Sequence, residues 1–284
     1  MPEKDRGLKI IESSDIISAA GIKPFLSSPG PAGEILVYPE ADSTHKIAKT
    51  LASDNAGHGT VVIADRQTAG RGRYGRSFFS PPSTGLYMSF ILDADNLGFN
   101  APTAITAYAA LCVCEVIESL CDVKASIKWV NDIFVDGRKV CGILTEAATA
   151  PGGGRPGVVL LGIGVNVSTR QDDFPEDVKA RAGSLYPDGN PPITRNRLAA
   201  GIIDRILSPG KPTTGRMFAK YKERLFMLGA DILVIQGPKQ YAAKALDIDE
   251  TGRLIVQEEG GGHIIKLSSG EVSIVHEAPG RPCQ

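Results

Sequence analysis

The sequence has few cysteines, no long apolar run and almost no net charge, and these shortages exclude several classes of protein. Five cysteines, an odd number with no framework spacing, argue against a secreted fold built on disulfides. A net charge of −1 argues against a nucleic-acid-binding domain, which normally presents a basic face. No apolar run approaches the ~18 residues of a membrane span, and Met1 to Asp5 lack a signal peptide's apolar region. We therefore expect a cytoplasmic protein with neither a membrane nor a nucleic-acid partner.

The apolar pattern predicts an α+β fold with a mixed or antiparallel sheet backed by helices. Three units are expected: an N-terminal extension at 1–33, a main domain at 34–228 and a C-terminal domain at 229–284. The last has five short alternating strands separated by tight turns, which is typical of a small β-barrel. The other predicted elements are helices at 14–20, 44–51, 102–121, 194–207 and 213–227, strands at 35–38, 60–64, 85–92, 125–129, 133–135, 139–147 and 157–167, and a hairpin tip at 152–154.

The most informative motif is the run from Gly70 to Arg76, GRGRYGR, which sets three arginines on a glycine-rich backbone. Each guanidinium presents a planar fork of donors that matches carboxylate and phosphate oxygens. The glycines can approach a ligand closely, but they raise the entropic cost of ordering the loop. We therefore expect a loop that is mobile when empty and closes over a small anionic ligand.

The same run fits G-x-G-x-x-G, the fingerprint of dinucleotide-binding folds, which requires a helix to begin at the third glycine. A predicted strand precedes it at 60–64, but it continues into Ser77 to Pro82, where paired prolines exclude a helix interior. The next periodic stretch, at 86–92, is another strand. Without a helix between, Asp93 and Asp95 match the ribose-binding acid of that fingerprint only by chance. We therefore reject dinucleotide binding.

A second motif lies on a predicted hairpin, where KWVND at 128–132 is followed by RKVCGILTE at 138–146. Together with GRGRYGR it resembles the biotin protein ligase family, whose hallmarks are a GRGRxGR loop and a KWPND…K-x-x-G-I-L-x-E segment. Further matches occur in order: Asp42-Ser43-Thr44, then Gln67, then GIGVN at 162–166. The resemblance covers about residues 34 to 276. It implies a class II synthetase-like catalytic domain with a C-terminal SH3-like β-barrel.

The resemblance implies a ligase that works in two steps. Biotin and ATP give biotinyl-5′-AMP and pyrophosphate, and the biotinyl group then passes to one lysine of a biotin carboxyl carrier protein domain. Bringing the biotin carboxylate to the α-phosphate costs roughly 4 kcal/mol per pair of unit charges at ~4 Å and an effective dielectric of ~20. Fixed cations, with Mg²⁺ on the phosphates, must offset this repulsion. The arginines and lysines of the two motifs would supply those charges.

Individual roles are carried over from positions that match the family's motifs. Lys139 resembles the lysine that holds the biotin carboxylate, and with Arg73 at the α-phosphate it forms the predicted catalytic pair. Ser43, Thr44 and Gln67 match positions that hydrogen-bond the ureido ring of biotin, which needs both donors and acceptors. The predicted biotin-binding residues are Ser43, Thr44, His45, Gln67, Gly70, Arg71, Arg73, Lys139, Gly142, Leu144 and Gly162. The predicted nucleotide-binding residues are Arg73, Arg76, Phe78, Lys128, Asn131, Asp132 and Asn166, with Asp132 also the predicted metal ligand.

The sequence departs from the family's pattern at three positions. His45 stands where an asparagine commonly follows the Ser-Thr pair, so its charge is expected to make biotin binding pH-sensitive. Phe78 replaces a tryptophan whose ring is expected to stack on adenine, and the smaller ring should weaken ATP binding by about 1 kcal/mol. Val130 replaces the proline of KWPND and loosens the turn that presents Asn131 and Asp132. None of these changes removes a required charge.

Two other functions are weighed against biotin ligation. A lipoate–protein ligase would use the same acyl-adenylate chemistry in a slender apolar pocket, but Ser43, Thr44 and Gln67 favour a urea head group. A biotin-sensing regulator would need a DNA-binding domain, and residues 1–33 are too few for a winged helix-turn-helix. We therefore expect a ligase-only protein. The sequence does not decide whether the protein forms a homodimer through an exposed sheet edge.

Overall fold

A sheet of seven strands forms the centre of the main domain. The computed structural model describes residues 15–27, 33–99, 101–147, 157–209 and 212–274, and the predicted hairpin tip at 152–154 lies outside them. The strands are β1 (Ile35–Ala41), β2 (Thr60–Gln67), β3 (Gly85–Asp93), β4 (Ser126–Lys128), β5 (Asp132–Val135), β6 (Arg138–Ala147) and β7 (Val158–Asn166). Their order is β1-β2-β3-β7-β6-β5-β4, with β1 parallel to β2 and the other pairs antiparallel. The predicted mixed sheet is confirmed.

Helices cover both faces of this sheet because its strands alternate between two apolar clusters. The helices are α1 (Ala19–Ile22), α2 (Thr44–Ser53), α3 (Ala94–Leu97), α4 (Pro102–Cys121), α5 (Glu176–Lys179), α6 (Arg195–Leu207) and α7 (Thr214–Glu223). On β2, Val61 and Ile63 belong to the large cluster that includes side chains of α4, α6 and α7. Val62 belongs to a smaller cluster with Ala48 of α2. This period-two alternation places α2 on one face of the sheet and α4, α6 and α7 on the other.

Helix α4 lies at the centre of the larger cluster. Its 20 residues are long and apolar enough to cross a membrane by length and composition, so the expectation that no such run exists is wrong. In the structure, 78% of this apolar window is buried, and the helix packs against β6, α6 and α7. We conclude that α4 is the core helix of the main domain.

The predicted helix of the N-terminal extension is wrong in its position. Ser14 lies outside the described residues, Asp15 to Ser18 are not helical, and α1 begins only at Ala19. The reason is a tertiary contact with the buried Arg195 of α6, which donates to the Asp15 carbonyl and, from Nε, to the Asp15 carboxylate at 2.9 Å. A backbone group bonded to a neighbouring helix is not available for a helix of its own.

The C-terminal domain is a five-stranded antiparallel sheet, as predicted for an SH3-like unit. Its strands are β8 (Asp231–Gln236), β9 (Lys239–Ile248), β10 (Leu254–Glu258), β11 (Ile264–Leu267) and β12 (Glu271–Ile274). They pair in the order β11-β10-β9-β8-β12. Trp129 joins this domain to the main one, because its buried Nε1 donates to Gly252 O at 2.9 Å, and the Phe218 ring of α7 also lies against Gly252. The single tryptophan of the sequence is therefore a contact between domains.

Helix α7 is shorter than predicted. It ends at Glu223, whereas the apolar pattern extends it to 227. Arg224 O accepts a hydrogen bond from Ile127 N at 2.8 Å, and Leu225 forms a parallel bridge to Ile127. The chain therefore leaves the helix because its backbone pairs with the edge strand β4, which sequence periodicity cannot reveal.

Candidate active site

A cavity opens where α2, β2 and the arginine loop (residues 70–76) meet β6, β7 and the C-terminal domain. Most of the predicted site residues line it, although they are far apart in the sequence. The predicted residues that line the cavity are Ser43, Thr44, His45, Gln67, Arg71, Arg73, Arg76, Phe78, Lys128, Asn131, Asp132, Lys139, Gly142, Leu144 and Gly162.

Two predicted residues, Gly70 and Asn166, lie behind the walls of the cavity. Asn166 is buried, and its Nδ2 donates to Gly183 O at 2.9 Å, so its amide fixes the chain that follows β7. Gly70 is buried under the arginine loop, where a Cβ would come within 2.5 Å of Phe78 O. These positions give both residues a structural role in shaping the site.

The arginine loop is folded back on itself. Gly72 N donates to Arg76 O at 2.7 Å, and Phe78 N donates to Gly70 O at 2.9 Å. The turn has left-handed backbone at Tyr74 and Gly75, with φ of 57° and 73°, a conformation that glycine adopts at little steric cost. The loop therefore has a defined conformation in which its arginines line the cavity.

The loop and the hairpin meet at the turn between β4 and β5. Lys139 Nζ lies 2.6 Å from Asp132 Oδ1, and Arg73 NH1 donates to Asn131 Oδ1 at 3.0 Å. Asn131 is itself held by a hydrogen bond from its Nδ2 to Ile143 O at 2.9 Å. The Lys139 ammonium and the Arg73 guanidinium are thus held beside the adjacent residues Asp132 and Asn131. We call this region the cationic end of the cavity.

Lys128 and Arg181 add positive charge to the cationic end. Burial lowers the pKa of Lys128 from its ordinary value, while the Asp132 carboxylate acts in the opposite direction. Arg181 was not predicted. It reaches the cavity because its carbonyl accepts a hydrogen bond from Lys139 N at 2.8 Å, which lays the segment after α5 beside β6. No sequence motif marks a contact of this kind.

The C-terminal domain closes the cationic end. Arg76 NH1 donates to Glu271 Oε1 at 2.7 Å, and Arg76 NH2 lies 2.5 Å from Glu271 Oε2, which makes a bidentate ion pair. Tyr74 OH accepts a hydrogen bond from Gly270 N at 2.8 Å. Sequence reasoning missed these partners, since Arg76 and Glu271 are 195 positions apart and belong to different domains.

A second region of the cavity is neutral, and its side chains are bonded to one another. Gln67 Oε1 accepts hydrogen bonds from Thr44 N at 2.9 Å and from Thr44 Oγ1 at 3.1 Å. Gln67 Nε2 donates to Ser80 Oγ at 2.9 Å, and Thr44 Oγ1 also lies 2.9 Å from Ser89 Oγ. We call this region the neutral end. Its network holds Thr44 and Gln67 in fixed orientations.

Two buried polar atoms beside this network have no hydrogen-bond partner within the described ranges of the chain, Ser43 Oγ and His45 Nδ1. Ser43 is the N-cap residue of α2, but its side chain makes no capping bond. His45 is 5% exposed, and its Nε2 lies 3.0 Å from Glu146 Oε2. Buried polar groups are normally paired, so both atoms are suited to a polar ligand.

The aromatic ring of Phe78 rests on glycines of β6 and β7. A Cβ at Gly164 would come within 2.6 Å of the ring, and a Cβ at Gly142 would come within 3.2 Å of it. The same Cβ at Gly142 would lie 3.4 Å from Lys139 Cε. The two glycines therefore provide a flat floor on which Phe78 and Lys139 lie side by side.

Asp132 fits a magnesium ion as one ligand among several. The structure's described residues contain no group of three or more His, Cys, Asp or Glu side chains that could hold a metal ion. Mg²⁺ commonly uses one or two carboxylates together with substrate phosphates. A magnesium ion beside Asp132 would therefore depend on the nucleotide for its other ligands.

Two family models match the sequence, one in the main domain and one in the C-terminal domain. The Biotin/lipoate A/B protein ligase family matches residues 37–166, and the Biotin protein ligase C terminal domain matches residues 228–275. The chain is 32% identical over 281 residues to the bifunctional ligase/repressor BirA of Bacillus spizizenii, covering 95% of this chain and 82% of that protein. It is 31% identical to the biotin–[acetyl-CoA-carboxylase] ligase of Mycobacterium tuberculosis, covering 75% of this chain and 78% of that one.

Solved structures show the same architecture. The biotin protein ligase of Aquifex aeolicus, in complex with biotin and ATP, superimposes with a TM-score of 0.71 at 30% identity, covering 85% of this chain and 98% of that one. The biotin protein ligase of Leishmania major with biotinyl-5-AMP shares the fold at 21% identity and a TM-score of 0.58, covering 83% and 99%. Both the cavity-bearing domain and the C-terminal sheet have counterparts, and the chain belongs to the biotin protein ligase family.

Proposed function

We propose that this protein is a biotin–[biotin carboxyl carrier protein] ligase, which activates biotin as biotinyl-5′-AMP and transfers the biotinyl group to a carrier lysine. The observation that carries the proposal is the meeting of Lys139 and Arg73 in one cavity with the Thr44–Gln67 network. The cationic end suits two anions, and the neutral end suits an uncharged urea. Biotin has a carboxylate and a cyclic urea at its two ends, so it matches both regions.

The neutral end binds the head group of biotin. A cyclic urea presents two N–H donors and one carbonyl acceptor. Ser43 and His45 bring buried atoms that have no hydrogen-bond partner among the residues the structure describes, and Thr44 and Gln67 hold the surrounding network in place. Leu144 and Gly162 line the same cavity and give the apolar part of the bicycle a surface to pack on.

The cationic end brings the two acids together. A carboxylate oxygen of biotin attacks the α-phosphorus, and the bond between that phosphorus and the pyrophosphate oxygen breaks. Lys139 and Arg73 exchange Asp132 and Asn131 for ligand oxygens and hold them in position. Since negative charge builds up on the phosphoryl oxygens, fixed cations stabilise the transition state more than the ground state. A magnesium ion held by Asp132 and the phosphates would supply further charge neutralisation.

Nucleotide binding involves both domains. Phe78 offers its ring to the adenine, and Lys128 and Arg76 bind phosphate oxygens. Arg76 is paired with Glu271 of β12, so the C-terminal domain influences how this arginine meets the nucleotide. The arginine loop also covers the adenylate, because the mixed anhydride would be lost to hydrolysis if water reached it.

The second step is an acyl transfer. The neutral amine of the acceptor lysine attacks the biotinyl carbon, the bond from that carbon to the AMP oxygen breaks, and the amine nitrogen loses its proton to solvent water. AMP leaves as a phosphate monoester anion, which the arginines of the loop stabilise. The acceptor is the biotin carboxyl carrier protein domain of a biotin-dependent carboxylase.

The proposal extends to the protein's setting. Three buried cysteines of the described residues, Cys114, Cys121 and Cys141, are free thiols, which suits action in the reducing cytoplasm. The division into units 1–33, 34–228 and 229–284 belongs to the same proposal. Ligase activity without DNA binding stays a prediction, to be tested by DNA retardation. A homodimer likewise stays a prediction, to be tested by sedimentation.

The proposed function is tested by pyrophosphate release. The protein is incubated with ATP, magnesium and either biotin or lipoate, and a carrier domain is then added to detect biotin on its lysine with labelled streptavidin. Release with biotin, followed by labelling of the carrier, is the expected result. Release with lipoate alone would contradict the substrate assignment, and release without labelling would contradict the transfer step.

A further inference from the structure

Tyr74 occupies the position of the arginine loop that is written x in GRGRxGR. It lines the cavity, and the residue is 62% exposed. Its backbone is left-handed, with φ of 57° and ψ of 32°, a conformation that is less favourable for a residue with a Cβ than for glycine. A bulky residue persists in this conformation only where its surroundings hold it. We therefore asked what the side chain of Tyr74 contacts.

The side chain of Tyr74 contacts both the C-terminal domain and the next arginine of its own loop. Its hydroxyl oxygen accepts a hydrogen bond from Gly270 N at 2.8 Å. The same oxygen accepts a hydrogen bond from Arg73 NH2 at 3.1 Å. In addition, Arg73 Cζ lies 4.9 Å from the centroid of the tyrosine ring, within the range of a cation–π contact. The hydroxyl of Tyr74 therefore links Arg73 to the C-terminal domain.

The guanidinium of Arg73 is held at two of its nitrogen atoms. NH1 donates to Asn131 Oδ1 at 3.0 Å, and NH2 donates to the Tyr74 hydroxyl at 3.1 Å. A guanidinium has five N–H donors in one plane. Two bonds at different nitrogens fix that plane, and a guanidinium that stays bonded to Tyr74 keeps other N–H groups for phosphate oxygens. Tyr74 thus restricts how Arg73 can turn when a ligand replaces Asn131.

The C-terminal sheet fixes the position of Gly270, the residue that donates to Tyr74. Gly270 comes directly before β12, which pairs with β8 through Glu271 and Ile235. Gln236 Nε2 of β8 donates to Ser269 O at 3.1 Å, so the turn before β12 is bonded to that strand. The backbone N–H that holds Tyr74 is therefore placed by the C-terminal domain.

We propose that Tyr74 is a positioning residue, through which the C-terminal domain sets the orientation of the Arg73 guanidinium at the α-phosphate. The inference rests on the proposed function and deepens it, because it names how the C-terminal domain controls the chemical step of the same site. Loss of the Tyr74 hydroxyl would leave the charge of Arg73 in the cavity but would let the guanidinium turn. Since catalysis depends on donors that are already aimed at the developing charge, this freedom slows the reaction.

Tyr74→Phe tests the hydroxyl while keeping the ring that Arg73 contacts. We expect kcat for pyrophosphate release to fall about tenfold, as for the loss of a hydrogen bond to a charged group. KM for biotin and KM for ATP should each stay within about twofold of the wild type, because every cation of the cavity remains. Tyr38→Phe, at a half-buried tyrosine of β1 that is not among the residues lining the cavity, is the matched control and should behave like the wild type.

A double-mutant cycle shows whether Tyr74 acts through Arg73. In an Arg73→Ala background, Tyr74→Phe should cause no further loss of pyrophosphate release, because no guanidinium remains to be oriented. Exchange of labelled pyrophosphate into ATP measures the slow rates of the Arg73→Ala proteins. A fall of equal size in both backgrounds would mean that Tyr74 does not act through Arg73, and would overturn the inference.

A measurement of the guanidinium itself needs no enzymatic activity. In protein labelled with ¹⁵N-arginine, the two terminal nitrogens of Arg73 should give separate resonances, because Asn131 and Tyr74 hold them. The exchange between these two resonances should become faster in Tyr74→Phe. One averaged resonance in the wild type, or the same exchange rate in both proteins, would overturn the inference.

The outcomes distinguish this inference from the proposed function. An unchanged kcat in Tyr74→Phe, with or without a rise in KM for ATP, would remove the positioning role of Tyr74 and leave the ligase intact. Separate Arg73 resonances that exchange faster in Tyr74→Phe, in a protein that releases no pyrophosphate, would support the positioning of Arg73 and contradict the ligase.

Discussion

At the neutral end, Thr44, Gln67 and Ser80 are bonded to one another, whereas at the cationic end Lys139 and Arg73 are bonded to groups that a ligand must replace. The neutral network is largely buried, while Arg76 and Lys139 remain partly exposed to solvent. The neutral end is therefore preorganised, and its geometry survives in the absence of ligand. The cationic end is held by internal ion pairs and hydrogen bonds, which we propose a bound ligand replaces.

The difference follows from the chemistry of the two ligand ends. A urea gains its affinity from fixed donors and acceptors, so a rigid network reduces the entropy lost on binding. Unpaired cations would repel one another, and Asp132, Asn131 and Glu271 are their partners in the structure. We propose that phosphates of the nucleotide replace these partners. Substitutions at the two ends should consequently affect different constants, and the following predictions test that separation.

The largest effect is expected from Lys139→Ala at the cationic end. Loss of the ammonium removes a fixed charge from the developing phosphoryl anion, so pyrophosphate release should fall about a thousandfold. The melting temperature and the affinity for biotin's head group should change little, because the side chain is 32% exposed. Lys239→Ala, at an exposed position of β9, is the control. Near-normal release in Lys139→Ala would mean that the acids meet elsewhere.

Gln67→Leu is expected to act at the neutral end alone. It leaves Thr44 N and Oγ1 without their acceptor, which destabilises the network by about 1–3 kcal/mol. KM for biotin should rise about tenfold, while KM for ATP stays unchanged. Steady-state kinetics with each substrate varied in turn, beside the exposed control Gln257→Leu, measures this split. A parallel rise in KM for ATP would show that the two ends are not independent.

Gly164→Ala tests the floor between the two ends. Its Cβ would lie 2.6 Å from the Phe78 ring, so the ring must move, at an expected cost of about 1–3 kcal/mol in stability. KM for ATP should rise severalfold, because Phe78 would no longer lie in place for the adenine. Gly57→Ala, where a Cβ meets nothing within 4 Å, is the control in thermal melts and kinetics. Unchanged ATP kinetics would contradict the role of Phe78.

The smallest effect is expected from Glu271→Ala, which removes the partner of Arg76. An ion pair with an exposed member contributes up to about 1 kcal/mol, so trypsin should cleave the ligand-free arginine loop at most about fivefold faster. Biotin and ATP should protect the loop in both proteins. Glu250→Ala, in an exposed turn of the same domain, should behave like the wild type. Equal cleavage with and without ligands would contradict the closure of the loop.

The long elements could be predicted from the sequence because their causes are local. The apolar run of α4 and the alternation of β3 and β7 specify their structures without help from other segments. The N-terminal extension and the end of α7 could not be predicted, since their backbones bond to Arg195 and to Ile127. Such bonds depend on the finished fold.

The residues of the candidate site also fall into two groups, those that the sequence could identify and those that it could not. Lys139, Arg73 and Gln67 could be named because they stand in motifs with a definite spacing. Glu271 and Arg181 carry no motif, and they reach the cavity through the docking of the C-terminal domain and the backbone pairing beside β6. The His45 ring contacts Glu146, which is 101 positions away in the sequence. Residues that act through tertiary partners are therefore the ones that sequence reasoning misses.

The central claim is that the arginine loop and the β5–β6 hairpin form one site in which an acid is joined to ATP. Its most direct test is mass spectrometry of the wild-type protein and of Lys139→Ala after incubation with biotin, ATP and magnesium. Bound biotinyl-5′-AMP in the wild type and none in the variant is the predicted result. Equal amounts of the adenylate in both proteins, or none in the wild type although biotin binds, would contradict the account.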